Sequence, residues 1–215
     1  MSANANVFVN FGDGDKAISV KCVIAFDTPI TDFHFSLSTL LTIDKISSGT
    51  KSEWKIIKEW QPQWQHKSNE IFVSSKTPMN DITVEYHGRV SGWCSIIEEK
   101  RIALSDYSAW TLSETSVPVD FIFKIKNMED YLIINARYDD NEKMWIYGET
   151  GHDEGNIIAL KKGCFYTAST GNFYFYYLNE AEKIYADCYT SNYDKIMAYL
   201  STLFGEKIIN KMSVV

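Results

Sequence analysis

Apolar and polar residues alternate along this chain with a period of two, and that period belongs to strands that are buried on one face. Ile18, Val20, Cys22, Ile24 and Phe26 are spaced by Ser19, Lys21, Val23 and Ala25. Phe33, Phe35 and Leu37 repeat the pattern, as do Ile82, Val84 and Tyr86, and then Val119, Phe121, Phe123 and Ile125. Shorter stretches of strand character lie at 7–11, 40–46, 53–60, 70–74, 93–104, 131–138, 143–147, 156–160, 164–168 and 172–178. Asp13-Gly14 and Asp139-Asp140-Asn141 supply hairpin chemistry between such runs, and Lys162-Gly163 and Thr170-Gly171 punctuate the later ones. Aromatic residues make up 14% of the chain, which favours strands further. The expectation is a mainly β fold of two packed, curved antiparallel sheets, a sandwich or saddle.

A chain of 215 residues can bury roughly 70% of its unfolded surface, enough for one large domain over 1–215. Alternation lapses over Ser105–Val117, so two packed lobes, about 1–105 and 106–190, are expected within it. One stretch breaks the period. Ile196, Tyr199, Leu200, Leu203 and Phe204 follow the spacing of an amphipathic helix over about 191–204, with Ser191 or Asn192 as N-cap and Gly205 as its stop. Beyond it, Ile208–Val215 reads as the start of another strand. The final Met212-Ser213-Val214-Val215 reads either as a strand cut in mid-element or as a last edge strand.

Several function classes fall away. The formal net charge is −7 and no Lys/Arg stripe stands out, so neither nucleic acid nor an anionic membrane is an expected partner. No apolar run reaches the ~20 residues of a membrane span. Met1–Asn6 has neither a basic nor an apolar region of a secretory signal, which leads to the expectation of a soluble, cytoplasmic chain. Cys22, Cys94, Cys164 and Cys188 are scattered and form no Cys-x-x-Cys pair, so reduced structural thiols are expected.

Catalytic motifs are also missing. His34, His66, His87 and His152 are too far apart for a His-Glu-x-x-His helix, and no phosphate-binding glycine loop is present. Gly88-Arg89-Val90-Ser91-Gly92 places its serine one position too late for a nucleophile elbow. The acidic clusters at Asp13–Asp15, Asp139–Glu142 and Asp153-Glu154 fall where turns are expected. Trp60 and Trp64, beside the polar stretch Gln61–Lys67, could stack on a sugar ring.

The order of certain segments resembles the N-terminal domain of aminopeptidase N-like zinc metallopeptidases. Asp81–Arg89 (DITVEYHGR) is similar to that domain's l-x-V-x-Y-x-G strand, and Phe33–Ile43 resembles an earlier strand and its continuation. Trp110 followed by Val117–Ile125 resembles the family's passage from an aromatic-proline turn into a strand. Asp187–Phe204, closed by Gly205, resembles the helix that leads into a strand like Met212–Val215. The resemblance implies a non-catalytic saddle of β-sheet that covers the active-site cleft and helps position a peptide substrate. Zinc, its ligands and the general base would belong only to a following catalytic domain in the same polypeptide, and no cofactor is expected in this chain. The family's Pro-Cys-x-Asp-Glu-Pro stretch beside the cleft is replaced by Trp110–Pro118 (WTLSETSVP), which leaves Asp106, Tyr107 and Trp110 as the cleft-facing candidates. The alternative is a stand-alone β-sandwich module that binds carbohydrate or protein through Trp60 and Trp64.

Overall fold

The computed structural model describes residues 1–12, 17–61, 66–90, 92, 95–148, 155–171, 173–204 and 212–214. In chain order its strands are β1 (Ala3–Phe11), β2 (Ala17–Ser38), β3 (Leu41–Ser47), β4 (Ser52–Trp60), β5 (Ser68–Arg89), β6 (Ile96–Ile97), β7 (Arg101–Leu104) and β8 (Val119–Lys126). They continue with β9 (Tyr131–Ile133), β10 (Arg137–Asp139), β11 (Met144–Tyr147), β12 (Ile157–Lys161), β13 (Tyr166–Thr170) and β14 (Phe173–Tyr177). A helix, α1 (Lys183–Phe204), precedes β15 (Met212–Val214). The chain is mainly β with one C-terminal helix, as its periodicity predicts. It divides into two compact units, Met1–Ala159 and Leu160–Val215.

The first unit is organised by β2 and β5, each 22 residues long and paired antiparallel from Ala17↔Arg89 to Ser38↔Ser68. Each covers two of the runs read from sequence. The apparent gaps between those runs are bulges. Phe26–Pro29 of β2 lie opposite only Asn80, and Ser75–Pro78 of β5 lie opposite only Thr31, between the aligned pairs Ala25↔Asp81, Ile30↔Met79 and Asp32↔Ser74. The two excursions are equal, so the register lost at one is restored at the other. Pro29 and Pro78, which have no N–H to give a ladder, sit in these unpaired positions.

The bulges fold the ribbon over. A straight strand of this length would separate Ser68 from Gly88 by about 70 Å. Yet Ser38 is opposite Ser68, Leu41 is opposite Gly88, and only the turn at Thr39–Leu40 lies between them. The two halves of β2 and β5 therefore face one another as two layers. β3 extends the layer formed by 81–89 of β5, and β4 extends the layer formed by 68–75. The alternating apolar set is what the layers enclose: Ile18, Val20, Cys22, Ile24, Phe33, Phe35, Ile71, Val73, Ile82, Val84 and Tyr86 are each no more than 2% exposed. The rings of Phe26 and Phe33, one on each side of the bend, meet edge to face at 5.3 Å. Burial also pushes the Cys22 thiol up to about 12, so this cysteine is an apolar core residue.

Strand direction departs from the antiparallel expectation. The large sheet runs β10-β11-β8-β1-β2-β5-β3, with β4 also on β5, and β1 pairs with β8 in parallel from Ala3↔Val119 to Asn10↔Lys126. Alternation is the same in parallel and antiparallel strands, so sequence periodicity does not distinguish them. A four-stranded sheet, β6-β7-β12-β9, and a three-stranded one, β13-β14-β15, complete the set. Residues 105–117, where alternation lapses, run irregularly along β2: Ser36 and Ser113 exchange both backbone hydrogen bonds (2.7 and 3.0 Å), and the Ser38 N–H donates to the Ala109 carbonyl at 3.0 Å.

In the second unit β14, α1 and β15 form a crossover, because β14 and β15 are parallel. The helix begins eight residues before the expected start. Asn179 accepts from the Glu182 N–H at 3.2 Å, and the Glu182 carboxylate accepts from the Leu178 N–H at 2.7 Å, a reciprocal cap across a single 3-10 turn. Ser191 and Asn192 are thus mid-helix, and their side chains donate back to the Cys188 carbonyl. Ala186 is fully buried in the cluster with Phe173 and Phe175, while the Tyr193 and Tyr189 rings lie 5.3 and 5.5 Å from Phe173 and Phe175.

Gly88 tests the fold-over. A Cβ there would stand 2.5 Å from the Leu40 carbonyl oxygen and 2.9 Å from a Leu41 methyl, where the turn crosses the end of β5. Gly88→Ala should cost about 1–3 kcal/mol through this overpacking, read as a lowered urea midpoint with an unchanged slope.

Candidate functional site

The three cleft candidates lie on one short loop, but their side chains face different ways. Ser105 caps a 3-10 turn over Asp106–Ser108, and Ala109 leaves it in the left-handed region at φ 48°. Hydroxyls hold the turn from beneath: Ser95 Oγ accepts from the Ser105 N–H at 2.9 Å and donates to Ser108 Oγ at 2.9 Å, and Ser108 Oγ donates to the Ser105 carbonyl at 2.6 Å. The Asp106 carboxylate folds onto its own loop and accepts from the Tyr107 N–H at 2.9 Å. Tyr107 is 47% exposed, and its carbonyl accepts from the His66 N–H at 2.8 Å. Of the three, Tyr107 is the one whose ring is presented outward.

Trp110 is fully buried. Its indole N–H donates to the Gly155 carbonyl at 2.7 Å, and its ring lies 5.5 Å from Phe123. It anchors the loop to the core and does not face a cleft. Gly155 and Asn156, not singled out from sequence, complete the anchor, since Asn156 Oδ1 accepts from the Asp106 N–H at 3.2 Å. The φ of Gly155 is +81°, and a Cβ there would meet a Thr111 methyl at 2.9 Å. Only the Gly-Asn pair itself could have signalled a tight turn at this point. Below, the Tyr86 and Thr111 hydroxyls neighbour one another within the core, yet neither completes a hydrogen bond of good geometry. Burial first, and Cys22 second, hold the Tyr86 phenol far above its ordinary value.

The aromatic alternative meets a different arrangement. Trp64 lies outside the described residues. Trp60 is half-buried, donates its indole N–H to Ser36 Oγ at 3.2 Å, and carries the Lys58 ammonium 5.6 Å from its ring. Lys55 stands likewise over Phe72, and His34 meets the Phe72 ring at 4.6 Å. A lysine thus stands over one face of each of the Trp60 and Phe72 rings. Lys58 also reaches Glu70 at 3.1 Å, with His34 3.6 Å from the same carboxylate. The Lys58 hydrogen bond, followed by the smaller contribution of His34, holds the Glu70 carboxyl below its usual range despite some desolvation.

Elsewhere, His87 pairs with Asp44 at 2.8 Å. Among the described residues no three His, Cys, Asp or Glu side chains are grouped to hold a metal ion, and no helix is long and apolar enough to cross a membrane. A shallow depression of about 370 Å³ lies on the outward sheet face between Phe8, Asn10, Lys21, Asp44, Glu85 and Lys126. A smaller one, about 240 Å³, opens between Leu41 and Ile43 of β3 and Trp54 and Ile56 of β4, where the two layers meet at their edge.

No family model matches the sequence, and no curated protein sequence matches it. Solved structures do match. Native yeast LTA4 hydrolase superposes with a TM-score of 0.63 at 11% identity, over 98% of this chain and 36% of that one. Leukotriene A4 hydrolase from Saccharomyces cerevisiae gives 0.61 at 11%, and the yeast enzyme in complex with bestatin gives 0.62 at 10%, over the same shares. The chain therefore has a fold found in those proteins and spans about a third of their length.

Two substitutions separate anchor from surface. Trp110→Phe leaves the buried Gly155 carbonyl without its donor and should cost about 1–3 kcal/mol, whereas Tyr107→Ala should stay within about 0.5 kcal/mol, both by urea denaturation. Folding lowers the pKa of Glu70, so its contribution is present above the ordinary carboxylate range and disappears as pH falls through the lowered value. Glu70→Gln should therefore reduce the stability difference between pH 7 and pH 3, by less than about 1 kcal/mol because its Lys58 partner stands in solvent, measured as urea midpoints at both pH values.

Proposed function

We propose that this chain is the non-catalytic, β-rich part of a larger aminopeptidase N-like zinc hydrolase, where it walls the active-site cleft and helps position the amino end of a peptide substrate. One observation carries the reading: the whole chain shares its fold with about a third of a hydrolase. The ordered segments that resemble the N-terminal domain of aminopeptidase N-like enzymes support the same assignment.

The described residues offer no zinc site of their own. His34 has only Glu70 beside it, and His87 only Asp44, so each lacks a third ligand among the described residues. Zinc and the chemistry it supplies would then belong to a following domain. What this chain contributes is geometry. A loop pinned by Ser95, Asn156 and the Trp110–Gly155 hydrogen bond fixes the backbone from which Tyr107 projects, and a fixed point of attachment lowers the entropic cost of orienting a substrate.

The test compares two proteins with an aminoacyl p-nitroanilide substrate. The full-length gene product should hydrolyse it and lose activity to a zinc chelator, while the 215-residue chain should not hydrolyse it. Tyr107→Ala in the full-length product should raise KM several-fold with kcat little changed, because the ring contributes binding and no chemistry. Chelator-sensitive hydrolysis by the 215-residue chain alone would overturn the assignment.

A further inference from the structure

α1 carries two apolar stripes, and its own unit uses one. The inner stripe, Ala186, Thr190, Tyr193, Met197 and Leu200, is buried or half-buried. The neighbouring stripe is Tyr185, Tyr189, Asn192, Ile196, Tyr199 and Leu203, spaced 4-3-4-3-4. Most of it stands open: Tyr185 is 62% exposed, Ile196 42%, Tyr199 64% and Leu203 55%, while Tyr189, 48% exposed, also stacks on Phe175 at 5.5 Å. Three of these, Ile196, Tyr199 and Leu203, belong to the amphipathic stripe read from sequence. The small inner residues Ala186 and Thr190 let the helix approach Phe173 and Phe175 closely, and that turns the larger residues outward.

We infer that this outer stripe is the seat of a second amphipathic helix, supplied by a further part of the same polypeptide. The inference rests on the reading of this chain as part of a larger hydrolase. A helix fits because the 4-3-4-3-4 spacing is that of a seam into which the side chains of a facing helix insert, and a strand or loop has no such period. Asn192 lies at the middle of the stripe, where its side chain donates to the Cys188 carbonyl of its own helix at 2.8 Å, so the apolar residues carry the seam. The size of the stripe selects the source. Its open apolar surface is on the order of 500 Å², counting large side chains at about 150–250 Å² each. That is within the roughly 300–600 Å² of the largest apolar patch on a monomer, a patch that is often functional. It falls short of the roughly 800 Å² per partner of a stable bimolecular interface, so a second copy held by this stripe alone would bind weakly. A tethered segment needs less surface because its effective concentration is high. The yeast LTA4 hydrolase chains that share this fold, which covers 36% of them, carry such additional length.

The experiment introduces Tyr199→Glu with Leu203→Glu into both the full-length gene product and the 215-residue chain. The expected result is a fall in Tm of at least about 5 °C in the full-length product and a change under about 2 °C in the shorter chain, which stays monomeric by sedimentation velocity. Alkylation of the native Cys188 thiol, exposed one turn from both Tyr185 and Asn192, needs no variant and should be at least tenfold slower in the full-length product. An unchanged Tm with equal alkylation rates, an equal fall in both proteins, or a dimer of the shorter chain dissolved by the substitutions would each overturn the inference. Aminoacyl hydrolysis by the wild-type full-length product is read separately. Inactivity with the Tm loss intact removes the peptidase reading and keeps the docked helix, and activity without the Tm loss does the reverse. A transcript that encodes no further residues removes both.

Discussion

The antiparallel pairing of β2 with β5 is the interaction on which the first unit depends. Both strands run through the two layers, so each backbone ladder supports one layer directly and holds the other in place through the bend. Neither layer has a complete apolar face without the other: Ile24 and Val84 on one side need Phe33, Phe35 and Ile71 on the other. The paired bulges at Phe26–Pro29 and Ser75–Pro78 are what make closure compatible with register. A single bulge would shift one half by an odd or even step, and an odd step would turn every core residue outward. Because the excursions match, the apolar set stays inside on both sides of the bend.

Much of this was legible from residues alone. The stripes at 18–26, 33–37, 82–86 and 119–125 become strand faces turned to the core, with Val119 and Phe121 only partly buried, because a half-buried strand must show that period. Joining 18–26 to 33–37 was not legible, since Pro29 reads as an interruption and becomes a bulge only when Ser75–Pro78, far away in sequence, bulges in answer. The parallel β1–β8 pair was hidden for a different reason: periodicity carries no direction. The true start of α1 lay in the Asn179–Glu182 cap, which follows so closely on the aromatic strand 173–177 that the strand signal covers it.

The candidate site was legible as a place more than as a set of roles. The lapse of alternation over 105–117 marks the loop, and Tyr107 is presented from it. Trp110 could not be assigned from sequence, because an aromatic in a loop is a core residue or a surface one according to what lies above it, and here that is Gly155, 45 positions away. The same limit applies to α1. Sequence spacing identifies an apolar helix face but not which of two adjacent stripes the local sheet will occupy. That choice falls to the smaller residues, and the open stripe that results is what points to a larger assembly.

Native-state hydrogen exchange on the 215-residue chain tests the shared ribbon most directly. If β2 and β5 unite the two layers, their slowest amides on both sides of the bend should exchange together, with one denaturant dependence that matches global unfolding. Exchange in two separate classes, with 17–26 and 81–89 opening at a different free energy from 32–38 and 68–74, would contradict it and would make the layers independent sheets joined by a hinge.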